Sequence, residues 1–448
     1  MKRRILAAVM AVGCAVSLWF GAGTNGYAMT DLDVSEVVSK NIQEPEERNL
    51  QDMNISINEQ EWMILYYTNG IRMMNGLQPL STFGALQSAC DVRANELGTL
   101  FDHTRPNGTD CYSVLDEMGI SYMSAAENIA AGYADPWDTI NQWWNSPGHQ
   151  MNMLSDNDHM GVGYQYNQYT AYRHYWVQLF TGGCTTQSIS IVDDQNYIYL
   201  LPAGGSIDNL GLIVEARCEH GSSYLPLMDG MCSGYDPNAS DRIQTVTVQY
   251  NGCSTQIRIY SYPPMQFTDV NYSTWYYGYV EYVYALGLMT GLNDTYFGAA
   301  DPLARAQFAT ILYRINGEPE VGYSPEFADV PDGVWYTDPI LWASEQGVVT
   351  GYSNGNFGPG DYINREQMAV MMYRYAQSRG YDTSSRADFS NFTDGAYVSD
   401  FAVEAMQWAV GTGIISGKDN QTRLDPQGNA NRAECATIIT RFVSTYGG

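Results

Sequence analysis

The chain has 448 residues, which is enough for about three domains of roughly 150 residues each. It carries 22 lysine and arginine residues against 49 aspartate and glutamate residues, so its formal net charge at pH 7 is -27. Such an acidic surface excludes nucleic acids and anionic membranes as general partners.

Residues 1–28 are typical of a secretory signal peptide. A basic start at 1–4 precedes an apolar run at 5–20, and small residues follow at 26–28. The run is shorter than the roughly 20 residues of a membrane span, and no later segment is long and apolar enough to cross a bilayer. We therefore predict a secreted chain with no transmembrane segment in its mature form.

The next segments alternate between polar and apolar patterns. Residues 29–57 are polar and acidic and are predicted to form a flexible leader. Apolar residues at helical spacing predict one helix from Asn58 to the stop signal Asn75-Gly76, and a second helix over 82–100. In the second helix Arg93 shares related faces with Leu86, Ala89, Cys90 and Leu97. Aromatic and β-branched residues over 160–181 predict strand structure.

The segment WWNSPGHQMNML at 143–154 places His149 directly after a Ser-Pro-Gly turn. The turn at 146–148 ends the helix that carries the two tryptophans, and Met151, Met153 and Leu154 are predicted to belong to the core, so the imidazole lies at a corner between two apolar segments. The pattern alone allows two interpretations. His149 is either a working residue or a structural histidine with one satisfied hydrogen bond.

Residues 185–262 carry alternating apolar runs and few helix signals. Asn251-Gly252, between TVTVQY and CSTQIRIY, is a strong β-hairpin signal, and we predict a small all-β module. The chain has eight cysteines, of which Cys14 lies in the signal peptide. Export permits disulfides among the others, but spacing does not fix their pairing, and their odd number leaves at least one unpaired.

From residue 267 the chain repeats itself three times. Each copy opens with FTDV, FADV or FTDG, continues through GLMTG, GVVTG or GIISG, and closes with ARAQFATILYR, NREQMAVMMYR or NRAECATIITR. The pattern predicts a helix, a glycine-rich loop and a second helix in every copy. Cys435 falls on the apolar face of the last helix and is the candidate for a buried free thiol.

These copies resemble S-layer homology (SLH) domains, which hold bacterial exoproteins on the cell wall. The resemblance implies an all-α region in which three repeats form a pseudo-threefold helical spindle. Its grooves would bind secondary cell-wall polysaccharide, often capped by a pyruvylated sugar. The positions that match the family's binding positions are Asp269, Trp275, Arg305, Asp329, Trp335, Arg365, Asp394 and Arg432.

The residue types suit that ligand. A guanidinium fork matches the carboxylate of a pyruvyl ketal, and an indole face matches the apolar face of a sugar. The alternative is that the tryptophans belong to the core and the arginines cap helices. The copies also depart from the motif, with Gln307 in place of glutamate, Glu366 displaced by one position, and Phe401 where tryptophan is expected. We therefore expect one or two competent grooves.

Residues 58–181 resemble the bacterial branch of the CAP superfamily, the cysteine-rich secretory, antigen 5 and pathogenesis-related proteins. The matching pieces, in family order, are NGIRMMNGLQPL, FDHTRPNG, AENIAAG, WWNSPGHQMNML and YWVQLF. The resemblance implies an α+β three-layer α-β-α sandwich whose cleft holds His103, Glu127 and His149. The second glutamate of eukaryotic members has no counterpart, and Asn145 lies nearest to its place.

Two imidazoles and one carboxylate allow three roles. They could hold a divalent cation such as Zn²⁺, act as an acid/base pair, or form a polar network that orients loops. No cofactor is required. We expect a non-catalytic ligand-binding cleft, and the alternative is a wall-tethered, metal-assisted hydrolase acting on peptidoglycan or peptide.

The segment YLPLMDGMCSGYDPNASDRIQTVTVQYNG resembles bacterial immunoglobulin-like domains, which implies an Ig-like sandwich acting as a spacer. The chain is therefore predicted to be a multidomain, secreted Gram-positive protein at the cell wall or S-layer surface, with a CAP domain displayed on an SLH anchor. The predicted boundaries are 1–28 for the signal peptide, 29–57 for the leader, 58–184 for the CAP domain, 185–263 for the Ig-like domain, and 264–320, 324–380 and 386–446 for the SLH repeats.

Overall fold

The structure is a computed structural model that describes residues 55–192 and 197–446. The predicted signal peptide and almost all of the predicted leader lie outside the described residues. The described chain forms an α/β domain, a β-rich middle region and a helical C-terminal region, as the sequence predicts. None of the helices in these two ranges combines the length and the apolar character that a membrane crossing needs.

The α/β domain encloses a three-stranded antiparallel sheet between helices. The strand order is β1-β3-β2, and separate apolar clusters cover the two faces of the sheet. Its elements are α1 (Glu59–Met74), α2 (Gly84–Leu97), α3 (Ser113–Glu117), β1 (Ser124–Ala131), α4 (Pro136–Trp144), α5 (Pro147–Met153), β2 (His159–Tyr166) and β3 (His174–Gly182).

Helix α1 begins with a capping box, which explains its sharp start. The Asn58 side chain accepts a hydrogen bond from the Glu61 amide at 3.0 Å, and the Glu61 carboxylate accepts one from the Asn58 amide at 2.9 Å. The other Glu61 oxygen accepts from the Tyr164 amide at 2.9 Å and ties the helix to β2. The helix ends at Met74, beside the predicted stop.

The Ser-Pro-Gly turn separates α4 from α5, as predicted, because Pro147 is the first residue of a new helix. His149 therefore lies on a short helix. Met153 is buried, but Met151 is 69% exposed, so the prediction that Met151 belongs to the core is wrong. A seven-residue helix directs only one side toward the sheet.

The middle region consists of two sheets with a shared apolar core. The strand orders are β5-β10-β9-β8 and β4-β6-β7, and only the β5–β10 pairing among them is parallel. The strands are β4 (Ser188–Ile191), β5 (Ile198–Pro202), β6 (Ile213–Cys218), β7 (Gly221–Pro226), β8 (Cys232–Ser233), β9 (Arg242–Tyr250) and β10 (Cys253–Tyr262).

The predicted hairpin joins β9 and β10. Tyr250 pairs with Cys253 across the turn, and both turn residues have positive φ, +46° at Asn251 and +80° at Gly252. Two positive φ values are the signature of the turn that matches the natural twist of a hairpin.

The middle region packs against the α/β domain through backbone and side-chain hydrogen bonds. Thr82 and Tyr224 exchange two backbone hydrogen bonds of 2.8 and 2.7 Å. The Ser81 hydroxyl donates to Ser223 Oγ at 2.9 Å and shares a second hydrogen bond, also of 2.9 Å, with Nδ1 of His159. On its other side the region packs against the first repeat through a small apolar cluster.

One disulfide crosses this junction and joins Cys184 to Cys218. Within the described residues the remaining cysteines are free thiols. Cys435 is buried, as predicted, but it is one of several free thiols rather than a single one. The free cysteines are Cys90, Cys111, Cys232, Cys253 and Cys435.

The C-terminal region contributes two α-helices per repeat and has one continuous core. The helices fall at the repeat positions that the sequence predicts. They are α6 (Tyr277–Ala285) and α7 (Arg305–Ile315), then α8 (Thr337–Glu345) and α9 (Arg365–Ser378), then α10 (Val403–Gly411) and α11 (Arg432–Tyr446).

Three backbone hydrogen bonds link equivalent positions of the repeats in a closed ring. The amide of Leu303 donates to the carbonyl of Ala430 at 2.9 Å, Ala430 donates to Ile363 at 3.1 Å, and Ile363 donates to Leu303 at 2.9 Å. Each residue lies two positions before the repeat arginine. Every repeat therefore donates to one neighbour and accepts from the other.

Candidate functional site

Glu127 lies on the edge strand β1 and is buried between two cationic groups. Arg93 Nε donates to one carboxylate oxygen at 2.8 Å, and His103 Nδ1 donates to the other at 2.6 Å. Strand alternation turns Glu127 toward α2, which carries Arg93. The structure thus brings together His103 and Glu127, as the family resemblance implies, and adds an arginine.

Arg93 has no exposed side-chain surface and is held by two further acceptors. Its Nη1 donates to Glu96 at 2.8 Å, and its Nη2 donates to the carbonyl oxygen of Asp102 at 3.0 Å. A buried guanidinium and carboxylate must be paired, because either charge alone would be costly to desolvate. Sequence reasoning placed Arg93 on the apolar face of α2 and missed its role, although a charge on such a face is itself a signal.

His103 has the most accessible side chain of this group, with 56% of its side-chain surface exposed. Its hydrogen bond to Glu127 raises its pKa above the ordinary histidine value, against the smaller opposing effect of partial burial. The cleft therefore presents an imidazole whose Nδ1 is held by a carboxylate that favours its protonated form.

His149 lies near His103 but carries the opposite tendency. Burial, and then the nearby charge of His103, lower the pKa of His149. Its Nδ1 is buried and has no hydrogen-bond partner among the residues that the structure describes, whereas its backbone oxygen accepts from Asn128 Nδ2 at 3.1 Å. A buried ring nitrogen without a partner costs about 1–3 kcal/mol and marks a place where a ligand group would bind.

Amide side chains hold α5 against the sheet beneath His149. Asn152 Nδ2 donates to the Glu127 carbonyl oxygen at 3.1 Å and to Asn128 Oδ1 at 2.9 Å. Asn128 Nδ2 also donates to Gln178 at 3.0 Å. Asn145 takes no part in this arrangement: it caps the end of α4, and its side chain donates to the Asn141 carbonyl oxygen at 2.8 Å.

The cleft residues fit a divalent cation poorly. The ligand atoms that lie within 4.8 Å of one another belong to His103, Cys111 and Glu127, and His149 is not among them. Both Glu127 oxygens are already bonded to cationic groups, so a metal ion would be repelled by Arg93. Burial raises the pKa of Cys111 to about 12, and this opposes the thiolate form that binds metals.

Exposed aromatic rings adjoin the cleft. Phe101, two residues before His103, has its ring centroid 5.8 Å from that of Tyr172 and 6.3 Å from that of Tyr175. Phe101 and Tyr172 are both exposed. Exposed aromatic clusters mark interaction sites more often than isolated exposed residues do.

In the repeats, the aspartates of the opening motif hold the glycine-rich loops. Each carboxylate accepts hydrogen bonds from consecutive backbone amides instead of facing solvent. The bonds are from Phe297, Gly298 and Ala299 to Asp269 at 2.8, 2.8 and 2.9 Å, from Phe357 and Gly358 to Asp329 at 2.7 and 2.8 Å, and from Leu424 and Asp425 to Asp394 at 2.7 and 2.8 Å.

The three repeat arginines are buried and extend into the loop of the next repeat. They are the first residues of their helices, yet their side chains bond to a neighbouring repeat instead of capping their own helix. The Nε contacts are Arg305 to the Phe357 carbonyl at 3.2 Å, Arg365 to Leu424 at 2.9 Å, and Arg432 to Phe297 at 2.8 Å.

The arginines differ in their remaining donors. Arg365 Nη2 donates to the Ser416 carbonyl oxygen at 2.8 Å, and Arg432 Nη2 donates to that of Thr290 at 2.5 Å. Arg305 makes neither kind of bond in the part of the chain that the structure describes. It lies 4.8 Å from the ring centroid of Tyr352.

One aromatic residue per repeat is exposed at the same position before the first helix. Trp275 is 64% exposed, Trp335 is 61% exposed and Phe401 is 63% exposed. The alternative that the two tryptophans belong to the core therefore does not describe this structure. Phe401 preserves the exposed aromatic surface of the third repeat.

The departures from the repeat motif have a structural explanation. The Gln307 side chain accepts from the Ala304 amide at 3.0 Å, as Glu434 does from Asn431 at 3.3 Å, so glutamine keeps the helix cap. Glu366 instead accepts from the amide and hydroxyl of Ser399 at 3.0 and 2.8 Å. It therefore joins the second repeat to the third.

Comparison with protein families agrees with this architecture. Residues 65–180 match the model described as the cysteine-rich secretory protein family, and residues 266–309, 326–369 and 391–436 match the model of the S-layer homology domain. The chain carries a CAP domain and three SLH repeats. The resemblances stated from the sequence are thereby confirmed for these two parts.

Known proteins resemble parts of this chain. The uncharacterized protein YkwD of Bacillus subtilis is 34% identical over 112 residues, which are 24% of this chain and 44% of that protein. The surface-layer 125 kDa protein of Lysinibacillus sphaericus is 26% identical over 159 residues, 35% of this chain and 13% of that protein. The chain thus spans less than half the length of either relative.

A solved extracellular protein with an SCP domain from Bacillus anthracis is 23% identical, with a TM-score of 0.26 over 31% of this chain and 45% of that one. The SLH repeats and the surface-layer relative indicate a secreted protein at the cell-wall surface.

Proposed function

We propose that this protein is held on the cell wall by its SLH repeats, which bind secondary cell-wall polysaccharide, and that it displays a CAP cleft that binds a ligand without catalysis. The proposal includes export through a signal peptide at 1–28, an Ig-like middle region, the predicted domain boundaries and a pseudo-threefold spindle of repeats. The ring of hydrogen bonds at Leu303, Ile363 and Ala430 supports the spindle.

The observation that carries the anchoring proposal is the arginine shared between repeats. Each groove combines an arginine from one repeat with a loop from the next, so a ligand there would contact two repeats. The buried Arg305 lies beside the exposed ring of Tyr352, and this pair suits an acidic sugar, because the guanidinium binds a carboxylate and the ring stacks on a sugar face.

We assign the strongest anion site to the groove of Arg305. Its terminal nitrogens donate no hydrogen bond within the described residues, whereas Arg365 and Arg432 each donate one from Nη2 to a loop carbonyl oxygen. The Tyr352 ring stacks on the guanidinium and keeps it in place. A pyruvyl carboxylate would accept two parallel hydrogen bonds there.

Cosedimentation of the full chain with isolated cell walls tests this assignment. Arg305→Ala should weaken wall binding at least tenfold, and Arg305→Lys should recover only part of it, because lysine keeps the charge and loses the fork. Arg379→Ala, at an exposed position in the second repeat, is the matched control. Equal wall binding by all four proteins would contradict the assignment.

The CAP cleft supports binding better than hydrolysis. Glu127, the cleft carboxylate that the family motif provides, accepts hydrogen bonds from Arg93 and His103 and is poorly placed to act as a base or a metal ligand. The buried Nδ1 of His149 and the exposed ring of Phe101 offer a ligand one polar and one apolar contact. A wall-degrading activity that is present in the wild type and lost in Glu127→Gln would support the hydrolase alternative. The absence of wall-degrading activity in both the wild type and Glu127→Gln would support binding.

A further inference from the structure

A cavity of about 270 Å³ lies at the junction between the CAP domain and the middle region. It is separate from the cleft of Glu127, and no function described above uses it. Its walls come from the start of α2, the ends of β2 and β3, and the turn between β6 and β7. The disulfide between Cys184 and Cys218 forms part of its lining.

Four side chains that can bind a metal ion line this cavity. They are His159 on β2, Cys184 after β3, and Cys218 and His220 at the β6–β7 turn. Ligand atoms of His159, Cys184 and Cys218 lie within 4.8 Å of one another. Their sequence separations match no zinc motif, because three distant segments supply them.

One ring nitrogen of His159 is already bonded, which leaves Nε2 as the candidate ligand atom. Its Nδ1 shares a hydrogen bond of 2.9 Å with the Ser81 hydroxyl, and the Phe83 ring packs edge-on at a centroid distance of 5.1 Å. A histidine whose one ring nitrogen is bonded to a neighbour and whose other nitrogen binds the ion is the usual arrangement at protein metal sites.

We propose that this junction is a zinc site in the dithiol form of the chain, with His159, Cys184 and Cys218 as ligands and His220 or water as the fourth. A dithiol reductant breaks the S–S bond by thiol–disulfide exchange: it supplies two electrons and two protons, leaves as its own disulfide, and the chain is left with two thiols. Zinc then displaces both thiol protons and binds two thiolates. A small-molecule disulfide oxidant that accepts two electrons and two protons, and leaves as two thiols, re-forms the bond between Cys184 and Cys218 and releases the ion.

The distances and charges suit zinc. Zinc bonds of about 2.3 Å to sulfur and about 2.0 Å to nitrogen separate tetrahedral ligands by roughly 3.3–3.8 Å. After reduction the two sulfur atoms would therefore move apart from bonding distance, and the His159 nitrogen, which lies within 4.8 Å of them, needs at most a modest approach. The Cα atoms of Cys184 and Cys218 are 6.3 Å apart. Two thiolates neutralise Zn²⁺, which matches a cavity whose lining, among the described residues, includes no aspartate, glutamate, lysine or arginine.

The consequence is that the same two cysteines can fasten the CAP domain to the middle region in two ways. The disulfide does so in the oxidised chain, and zinc does so in the reduced chain. The orientation of the CAP domain on its anchor would then be kept in either redox state.

Cobalt titration of the full chain tests the proposal. A phosphine reductant cleaves the disulfide and leaves as its oxide, taking its oxygen from water, so no thiol reagent remains to compete for metal. Reduced protein should bind one Co²⁺ with a thiolate-to-cobalt charge-transfer band, and one equivalent of Zn²⁺ should abolish the band. Oxidised protein should show no such band.

Variants separate this site from the other thiols. Cys184→Ser and Cys218→Ser should each abolish the charge-transfer band, and His220→Ala, at an exposed residue, should weaken cobalt binding about tenfold or more if the imidazole is the fourth ligand. The reduced double variant Cys232→Ser/Cys253→Ser should bind cobalt as the reduced wild type does. The absence of the band in reduced wild type, or its persistence in Cys184→Ser, would overturn the proposal.

Discussion

Arg432 of the last repeat donates a hydrogen bond to the carbonyl oxygen of Phe297 in the first repeat, 2.8 Å away across 135 positions of sequence. The amide of the same Phe297 donates to Asp269 at 2.8 Å. One loop residue is thus held from its own repeat on one side and from the last repeat on the other. Loop position and ring closure are therefore coupled.

Asp269→Asn should lower the free energy of unfolding of the repeat region by about 1–3 kcal/mol, because a neutral amide offers only one acceptor oxygen to three backbone amides. Urea denaturation followed by tryptophan fluorescence measures the loss. Asp294→Asn, at an exposed residue of the same loop, is the control and should stay within about 0.5 kcal/mol of wild type.

The effect of Asp269→Asn should depend on pH. Burial opposes the charged form of Asp269, but its bonds from the amides of Ala299, Phe297 and Gly298 outweigh burial and lower its pKa. A lowered folded pKa gives stability that is present above the unfolded value of about 3.9 and is lost as pH falls through the folded pKa. The difference between wild type and Asp269→Asn should therefore shrink below about pH 4. A stability difference between wild type and Asp269→Asn that grows as pH falls would contradict the lowered pKa of Asp269.

Arg93→Met should destabilise the CAP domain by about 3–5 kcal/mol, because it leaves the Glu127 carboxylate buried without its main counter-charge. Arg93→Met combined with Glu127→Gln should recover a large part of that loss. Thermal unfolding of the two single variants and the double variant completes the cycle. Simple addition of the two single losses would show that the pair is not coupled.

Glu127→Gln should lower the pKa of His103, which NMR titration of the imidazole measures. The hydrogen bond to Glu127 raises the folded pKa of His103, so its stabilisation is fully present below the unfolded value of about 6.5 and is lost as pH rises through the folded pKa. His103→Asn should therefore cost more stability at about pH 5.5 than at about pH 9. A cost that does not change with pH would mean that the histidine is not protonated in this pair.

Gly161→Ala should destabilise the packing of α2 on β2 by about 1–3 kcal/mol, because the added methyl group would lie 2.6 Å from Cys90 Sγ and 2.8 Å from the Leu86 backbone. Gly148→Ala is the matched control, since nothing lies within 4 Å of an added Cβ on that α5 residue. Gly148→Ala should be neutral or stabilising in a thermal melt. Equal losses in the two variants would argue against close packing at Gly161.

Local chemistry made much of the fold predictable. The cap at Asn58, the break at Pro147 and the hairpin at Asn251 depend on residues within a few positions of one another, so the sequence alone indicated them. The repeats were predictable because they recur in register. The all-β character of the middle region followed from alternation, although its docking on the CAP domain did not.

Non-local contacts were beyond sequence reasoning. Arg93 meets Glu127 across 34 positions, and its helical spacing indicated only a core face. Asn145 was assigned to the cleft from proximity in sequence, but its side chain bonds within α4. The extension of each repeat arginine into the next repeat depends on ring closure, which no single motif encodes.

Binding of the full chain to isolated walls, before and after chemical removal of their secondary polysaccharide, tests the central claim most directly. We expect untreated walls to retain the wild type and stripped walls to lose it. We expect both kinds of wall to retain less Arg305→Ala than untreated walls retain of the wild type. Equal retention of the wild type on untreated and stripped walls would contradict anchoring through the polysaccharide.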